Sequence, residues 1–328
     1  MTRIFEAIRE QNIVDYGKKF EDWAPRILVD QYSDKTHFIF ELLQNAEDAE
    51  ASRVHIQLYK NRLVLSHDGR DFTEEDIRGI CGVSASTKRN ASNRIGKFGI
   101  GFKSVYAYTS NPRIQSGEWD FTIKNLIMPY DNNSGVAVPR TIITLPFDPH
   151  KQDDSFSEIA RSLKKNLTSD SMLTLRNIRE IRYTIDGSSD ITIEKSVRIL
   201  GKGVQDVKLT VKNNLAPSAG SITEKLLSFV SEDVKPVLIA YKVQEAPGRK
   251  RNILPITNTY LYAFFPTAIE THQNFYIHAP FDTTPARDNI RNNEYNITLI
   301  EKIADLICDS VKWLKQQSCI NLKFFNQV

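Results

Sequence analysis

Cysteine is scarce: Cys81, Cys308 and Cys319 are the only three among 328 residues. None stands in a CxxC pair, which argues against a thiolate zinc site, and so odd and scattered a set supports no disulfide framework. A charge surplus is missing too. With 43 Lys and Arg against 40 Asp and Glu, the net charge is +3, too small to define a nucleic-acid coat or a membrane-binding face. No apolar run reaches the ~20 residues of a membrane span, and the opening MTRIFEAIREQ has no apolar core of a secretory signal. Repeats and low-complexity tracts are absent. These absences lead us to expect a reducing, cytoplasmic setting without a membrane partner. A chain that is 41% hydrophobic and 25% charged is ordinary globular material, and its length suggests two domains.

In the first half, Ile4, Phe5 and Ile8, then Phe20, Trp23 and Ile27, fall at helical spacing. A second helix is expected from Ser33 to Glu50, capped by Ser33 or Asp34, with Phe38, Ile39, Leu42, Leu43 and Ala46 as its apolar stripe. RVHIQLY and RLVLSH alternate around Lys60-Asn61, which predicts a β-hairpin. Thr73, with Glu75 and Asp76, opens a short helix. Residues 82–101 read as a loop rich in Gly, Ser, Asn and Lys, followed by a helix at 102–107. RIQSG, WDFTIKN and TIITLPF complete a sheet, and SFSEIARSLKKNL forms a helix after the break PHKQDDS. Beyond residue 170 come the strand patterns IREIRYTID, ITIEKSVRIL, DVKLTVKN, KPVLIAYKVQ, TNTYLYAFFP and NFYIHAPFD, the basic turn APGRKRN, and a long helix over 293–317. This is an α+β pattern. The closing NLKFFNQV reads as the start of another strand, so the chain is expected to be the front end of a longer one.

Three stretches carry chemistry. In ELLQNAEDA, Glu41, Asn45 and Asp48 stand at i, i+4 and i+7 and share one helix face. Asn45 offers a hard oxygen to Mg2+, Glu41 can act as general base on a water, and Asp48 can accept hydrogen bonds from a sugar or an ordered water. The same spacing also describes the solvated face of any amphipathic helix. HDGRDFTEED follows a strand; its carboxylate beside a glycine suits close approach to a ligand and reception of an adenine amine, or simply an Asp-Gly turn. In GKFGIGFKS, Gly96, Gly99 and Gly101 precede a helix, so main-chain amides there can cradle phosphates, with Lys97 and Lys103 adding charge. Lys88 either reaches a phosphate or sits in solvent. The glycine loop is neither a P-loop nor a Rossmann fingerprint.

Together and in this order, ELLQNAEDA, HDGRDFTEEDI, SASTKR with IGKFGIGFKSVY, and TIITLPF resemble the boxes of the GHKL ATPase superfamily, in its chaperone-type, sacsin-like branch. The resemblance spans residues 30–147, and more loosely 225–297, where YLYAFFPT and FYIHAPFDTTPARDNIRNNEYN look like the second domain of bacterial sacsin-type proteins. It implies an N-terminal Bergerat-fold α/β sandwich, a mixed sheet covered by helices, over residues 1–165. An α/β transducer- or middle-like domain would follow over 166–328. ATP and Mg2+ are the implied cofactors, with Glu41 as catalytic glutamate, Asn45 as metal ligand, and Asp48 and Ala49 lining sugar and adenine. The family reads adenine with the Asp of D-x-G-x-G. Aligning on Gly69 puts His67 in that slot, Asp68 beside it and Asp71 in place of the second glycine. Asp68 is expected to read adenine, with His67 as rival and Phe72 packing on the base. Gly96, Phe98, Gly99, Ile100 and Gly101 would wrap the phosphates, with Lys88, Lys97 and Phe102 beside them. Thr144 would touch an adenine-bound water, or merely fill its strand.

From the second domain, Arg287 in TTPARDN is the residue expected to reach the γ-phosphate, unless it pairs with Asp282 or Asp288. Lys242, Arg249, Lys250 and Arg251 are alternatives. The implied activity is slow hydrolysis of ATP to ADP and phosphate, with the phosphate ordering residues 82–103 and drawing the domains together. ATP-driven homodimerisation, with residues 1–30 exchanging between protomers, and a protein client or partner subunit follow from the same resemblance. The rival expectations are a sensor or scaffold that binds ATP with little turnover, and a nucleic-acid-processing or defence-associated ATPase. The basic stretches at 161–182 and 246–251 permit the latter, while net charge gives it little support.

Overall fold

Apolar residues at helical spacing form the first described elements of the computed structural model, which describes residues 2–17, 37–82, 101–231, 236–245, 251–284 and 288–320. The expectations placed on Phe20, Trp23, Ile27, Ser33, Asp34, Lys88, Gly96, Lys97, Phe98, Gly99, Ile100, Arg249, Lys250, Arg287 and residues 321–328 lie outside the described residues. Helix α1 (Thr2–Tyr16) buries Phe5, Ile8 and Asn12. Helix α2 (Phe38–Asp48) buries the expected stripe Phe38, Ile39, Leu42, Leu43 and Ala46. Strands β1 (Arg53–Tyr59) and β2 (Arg62–His67) form the expected hairpin, in register from Val54↔His67 to Tyr59↔Arg62. Alternation puts Val54, Ile56, Leu58, Leu63, Leu65 and His67 on the buried face. Helix α3 (Glu74–Cys81) opens with a Thr73–Asp76 capping box. The helix expected at 102–107 is a 3-10 segment, Gly101–Ala107.

Strands β3 (Arg113–Gly117), β4 (Trp119–Lys124), β5 (Met128–Asp131) and β6 (Val138–Pro146) follow, then helix α4 (Gln152–Asn166), which packs on β1. Strand β7 (Glu180–Ile185) pairs parallel to β1. The sheet order is β7-β1-β2-β6-β3-β4-β5, and all its other pairs are antiparallel. The β5 edge is covered by α1. Arg9 Nη1 donates to the Pro129 carbonyl at 2.7 Å and its guanidinium lies 4.7 Å from the Tyr130 ring centre, while Phe5 packs on Trp119 and Phe121. Residues 2–17 therefore dock on their own sheet.

The chain forms two compact units that interleave in sequence: Met1–Thr168 with Arg176–Thr192 and Asn213–Ala219, and Ser169–Leu175 with Ile193–Lys212 and Gly220–Val328. A single cut near residue 165 does not describe them. One reason is the pairing of β7 with β1. The other is Glu47, which is 1% exposed and accepts the amides of Arg176, Asn177 and Ile178 at 2.7, 2.8 and 3.0 Å. A carboxylate buried this way is compensated by main-chain donors.

The second unit takes β8 (Ser189–Gly201) from Ile193, β9 (Val204–Asn213) to Lys212, β10 (Ser221–Val230), β11 (Leu238–Glu245), β13 (Tyr260–Ala263), β14 (Phe265–Glu270) and β15 (Tyr276–His278), paired in the order β14-β13-β15-β11-β10-β9-β8, and β12 (Arg251–Leu254) joins β11. Helix α5 (Glu294–Gln316) lays Leu299, Ile303 and Leu314 on Leu227, Phe229, Ile239, Tyr241 and Phe275. Strand β10 escaped the sequence reading because Leu226, Leu227, Ser228 and Phe229 are all buried, which erases alternation. Mixed sheets with separate helices make this an α+β protein. No described helix is long and apolar enough to cross a membrane.

Replacing Glu47 with alanine would take the acceptor from three amides, that of Ile178 buried and those of Arg176 and Asn177 partly so. Urea denaturation of Glu47→Ala is expected to show a loss of about 3 kcal/mol, and a loss below about 1 kcal/mol would contradict the clamp described here.

Candidate functional site

On α2, Glu41, Asn45 and Asp48 are half-buried on one face while the residues between them are in the core. Two glycines bring the other chemistry-bearing stretches onto this helix. A β-carbon at Gly101 would collide with Glu41 Oε2 and lie 2.8 Å from its Cδ, so the carboxylate is packed against the bare backbone of residue 101. A β-carbon at Gly69 would lie 2.5 Å from the Ala49 carbonyl oxygen and 3.0 Å from the Ala51 nitrogen. That close approach lets the Arg70 amide donate to the same Ala49 carbonyl at 2.8 Å. The loop is held further by the Arg70–Asp76 ion pair at 2.6 Å. It is also held through Phe72, whose amide donates to Ser116 Oγ and whose carbonyl accepts Trp119 Nε1, both at 2.9 Å.

Asp68, expected to read adenine, has its carboxylate committed elsewhere. It accepts the amides of Ser52 and Arg53 and the Ser52 hydroxyl, each at 2.8 Å, and Arg53 Nε at 3.0 Å. Partial burial alone would raise its pKa, but these hydrogen bonds, from Arg53 and Ser52, hold it well below the usual carboxylate range. The carboxylate staples the end of β2 to the start of β1. His67 is the side chain turned to the buried face, 3% exposed, with Nδ1 accepting the Gly69 amide at 3.2 Å. Burial lowers its pKa to about 4, Asp68 opposing and Arg70 assisting. At neutral pH the ring is uncharged, and with Nδ1 accepting, its proton sits on Nε2. The slot aligned with the family's acceptor carboxylate therefore presents a donor.

Thr144 pairs with Val64 on the half-exposed face of the sheet. Three residues away, and so on the opposite face, Thr141 is buried and pairs with His67. Its Oγ1 lies 2.6 Å from Ser116 Oγ. The hydroxyl beside His67 thus belongs to Thr141, with Ser116 behind it; strand parity separates Thr141 from Thr144 in the sequence, and the register of β6 on β2 sets it opposite His67. Phe102 is a core residue, and Lys103, expected to bring charge to phosphates, is buried with its ammonium on the carbonyls of Ile80 and Leu126. Of the alternatives to Arg287, Lys242 pairs with Glu224 at 3.0 Å and Arg251 binds Asp206 through both guanidinium nitrogens at 2.7 and 2.8 Å. Asp282 accepts Asn293 Nδ2 at 3.1 Å, and Asp288 accepts the Thr284 hydroxyl.

Residues 56–135, which carry the second box and the glycine loop, match the family described as SACS, Sacsin domain. Two curated proteins are similar over part of the chain. Protein NO VEIN of Arabidopsis thaliana is 34% identical over 35% of this chain and 5% of its own length, and Sacsin of Homo sapiens is 30% identical over 31% and 3%. The chain thus spans a small fraction of the length of either relative. A solved structure described as the N-terminal domain of a DNA repair protein superposes with a TM-score of 0.48 at 12% identity, covering 88% of this chain and 97% of that one. Sequence likeness to sacsin-type proteins is therefore established for this part of the chain.

The buried neutral His67 makes stability depend on pH. The unfolded histidine protonates near 6.5 and the folded one near 4, so the unfolded chain binds more protons between those values. Urea midpoints are expected to fall as pH drops through that window. His67→Phe should flatten the fall without abolishing it, because the pKa of His55 is also lowered by burial and by Arg182.

Proposed function

We propose that this chain is a sacsin-type ATP-binding module, with a Bergerat-type pocket in its first unit, that slowly hydrolyses ATP to ADP and phosphate. The observation that carries the reading is the pair of steric contacts at α2, Gly101 on Glu41 and Gly69 on Ala49. They gather a carboxylate, a carboxamide and two glycine-bearing turns at one helix face. The domain match over residues 56–135 supports the same reading.

The residues fit a magnesium–nucleotide complex. Glu41, Asn45 and Asp48 supply hard oxygens on one face, and the glycines let the backbone of residues 69 and 101 close directly onto that helix. Among the described residues no three His, Cys, Asp or Glu side chains form a metal cage, so Asn45 would hold the ion together with the nucleotide's own phosphates and water. When bound, Mg2+ would offset the charge of the phosphates. Glu41 would take a proton from the attacking water, held at one angle by the backbone of residue 101. Asp48 would accept from the sugar. His67 Nε2 would donate to an acceptor on the base, with the Thr141 and Ser116 hydroxyls beside it. The lid glycines 96–101 and the γ-phosphate role of Arg287 rest on sequence resemblance. ATP-dependent homodimerisation, a protein client and a cytoplasmic setting belong to the proposal as well.

The test compares phosphate release and calorimetric nucleotide binding. Glu41→Gln is expected to cut steady-state phosphate release by about a hundredfold with nucleotide affinity little changed. Gly101→Ala, which displaces the Glu41 carboxylate, should cost about tenfold in kcat with affinity retained. A wild-type protein that binds ATP yet releases phosphate no faster than Glu41→Gln would be a sensor, and one that binds no nucleotide would end the reading.

A further inference from the structure

At the end of α3 a buried cation has no acidic partner among the described residues. Lys103 is 1% exposed, and its Nζ donates to the carbonyls of Ile80 at 2.7 Å and Leu126 at 2.6 Å. Buried Asn12, from α1, donates to the next carbonyl of each segment, Cys81 at 3.1 Å and Ile127 at 2.8 Å. Two side chains thus tie the same two stretches, 80–81 and 126–127. The carbonyls of Ile80 and Cys81 are in the last turn of α3, where intrahelical partners run out and the helix end favours a positive charge.

Stability alone is a poor reason for this lysine. Removing an ammonium from water is costly, and an apolar side chain of similar length would fill the space without that cost. What an apolar residue would lose is direction. Lys103 fixes the Gly101–Ala107 turn to α3 on one side and to residue 126 on the other. Buried Phe102 and Val105 flank it, and Ser104 Oγ donates to the Gly101 carbonyl at 2.6 Å. Two residues before Lys103 is Gly101, whose backbone lies against Glu41.

We propose that Lys103 is a positioning residue for the chemistry at Glu41: its ammonium sets the 101–107 turn, and the turn holds the Glu41 carboxylate at the angle the attacking water requires. The inference rests on the ATPase reading. It also gives the clamp a pH limit. Burial holds the Lys103 pKa down to about 8, the Cys81 thiol opposing. Burial pushes that thiol up to about 12, and raises the Tyr106 phenol, whose ring faces the ammonium, well above its ordinary value. Asn12, the remaining side chain at the knot, does not titrate. Passing about pH 8 therefore removes one charge, and charge-assisted bonds to two carbonyls become ordinary ones.

The experiment measures kcat and KM for phosphate release from about pH 6.5 to pH 9, with melting curves, for wild type, Lys103→Met and Lys103→Arg. We expect wild-type kcat to fall several-fold above about pH 8 while KM holds. Lys103→Met should lose about tenfold in kcat at neutral pH, with KM unchanged and the alkaline fall gone. Lys103→Arg, charged throughout, should recover most of kcat and stay level to pH 9. A folded Lys103→Met with wild-type kcat overturns the proposal. So does a wild-type kcat that stays flat across pH 8, a result that needs no variant to fold. Wild-type turnover equal to that of Glu41→Gln would instead overturn the ATPase reading beneath it.

Discussion

The carboxylate of Glu41 occupies the space where a side chain at residue 101 would begin. Much of the first unit is arranged around that contact. It requires α2 to run beneath the 101–107 turn, and the turn to stay where Lys103 and Ser104 hold it. At the other end of α2, the Gly69 contact on Ala49 brings the end of β2 to the same helix. Absence of a β-carbon is a one-sided device, since it permits an approach without compelling it. The compulsion comes from the buried stripe of α2 and from the hydrogen bonds that pin both turns.

Those pins share a pattern. Glu47, Asp68, Lys103 and Asn12 are ionic or strongly polar, and each bonds at least two main-chain groups. Each staple joins residues far apart in sequence, such as Glu47 to 176–178 or Asn12 to 127. Buried groups of this kind are costly unless every partner is in place, which makes the arrangement all-or-none and therefore well defined. Apolar packing supplies the bulk of the driving force, and the staples select one geometry from those that packing would allow.

Much of this was legible in the sequence. Periodicity located α2, the β1–β2 hairpin, α3 with its cap, and α5, because each keeps one face in the core and one in water. It failed at β10, where both faces are buried, and it carried no sign of the parallel pairing that returns β7 to an earlier sheet. Among the site residues, the grouping of Glu41, Asn45 and Asp48 on one helix face was plain from spacing. That Asp68 spends its carboxylate on the start of β1 while His67 turns to the buried face was not, because the four donors it found are announced by no local pattern. Parity also puts Thr141, and not Thr144, opposite His67. Lys103 reads like a loop cation because its partners are two carbonyls.

By itself, then, the order of residues determined where the amphipathic helices and alternating strands lie and which chemical groups share a helix face, since both follow from periods of 3.6 and 2. Tertiary structure alone decided which carboxylate is spent on a neighbouring strand, which hydroxyl stands beside His67, and which lysine is drawn inside to direct a turn. Those outcomes depend on donors and acceptors that meet only when distant segments pack, and a buried polar group takes whatever partner the fold brings within about 3 Å.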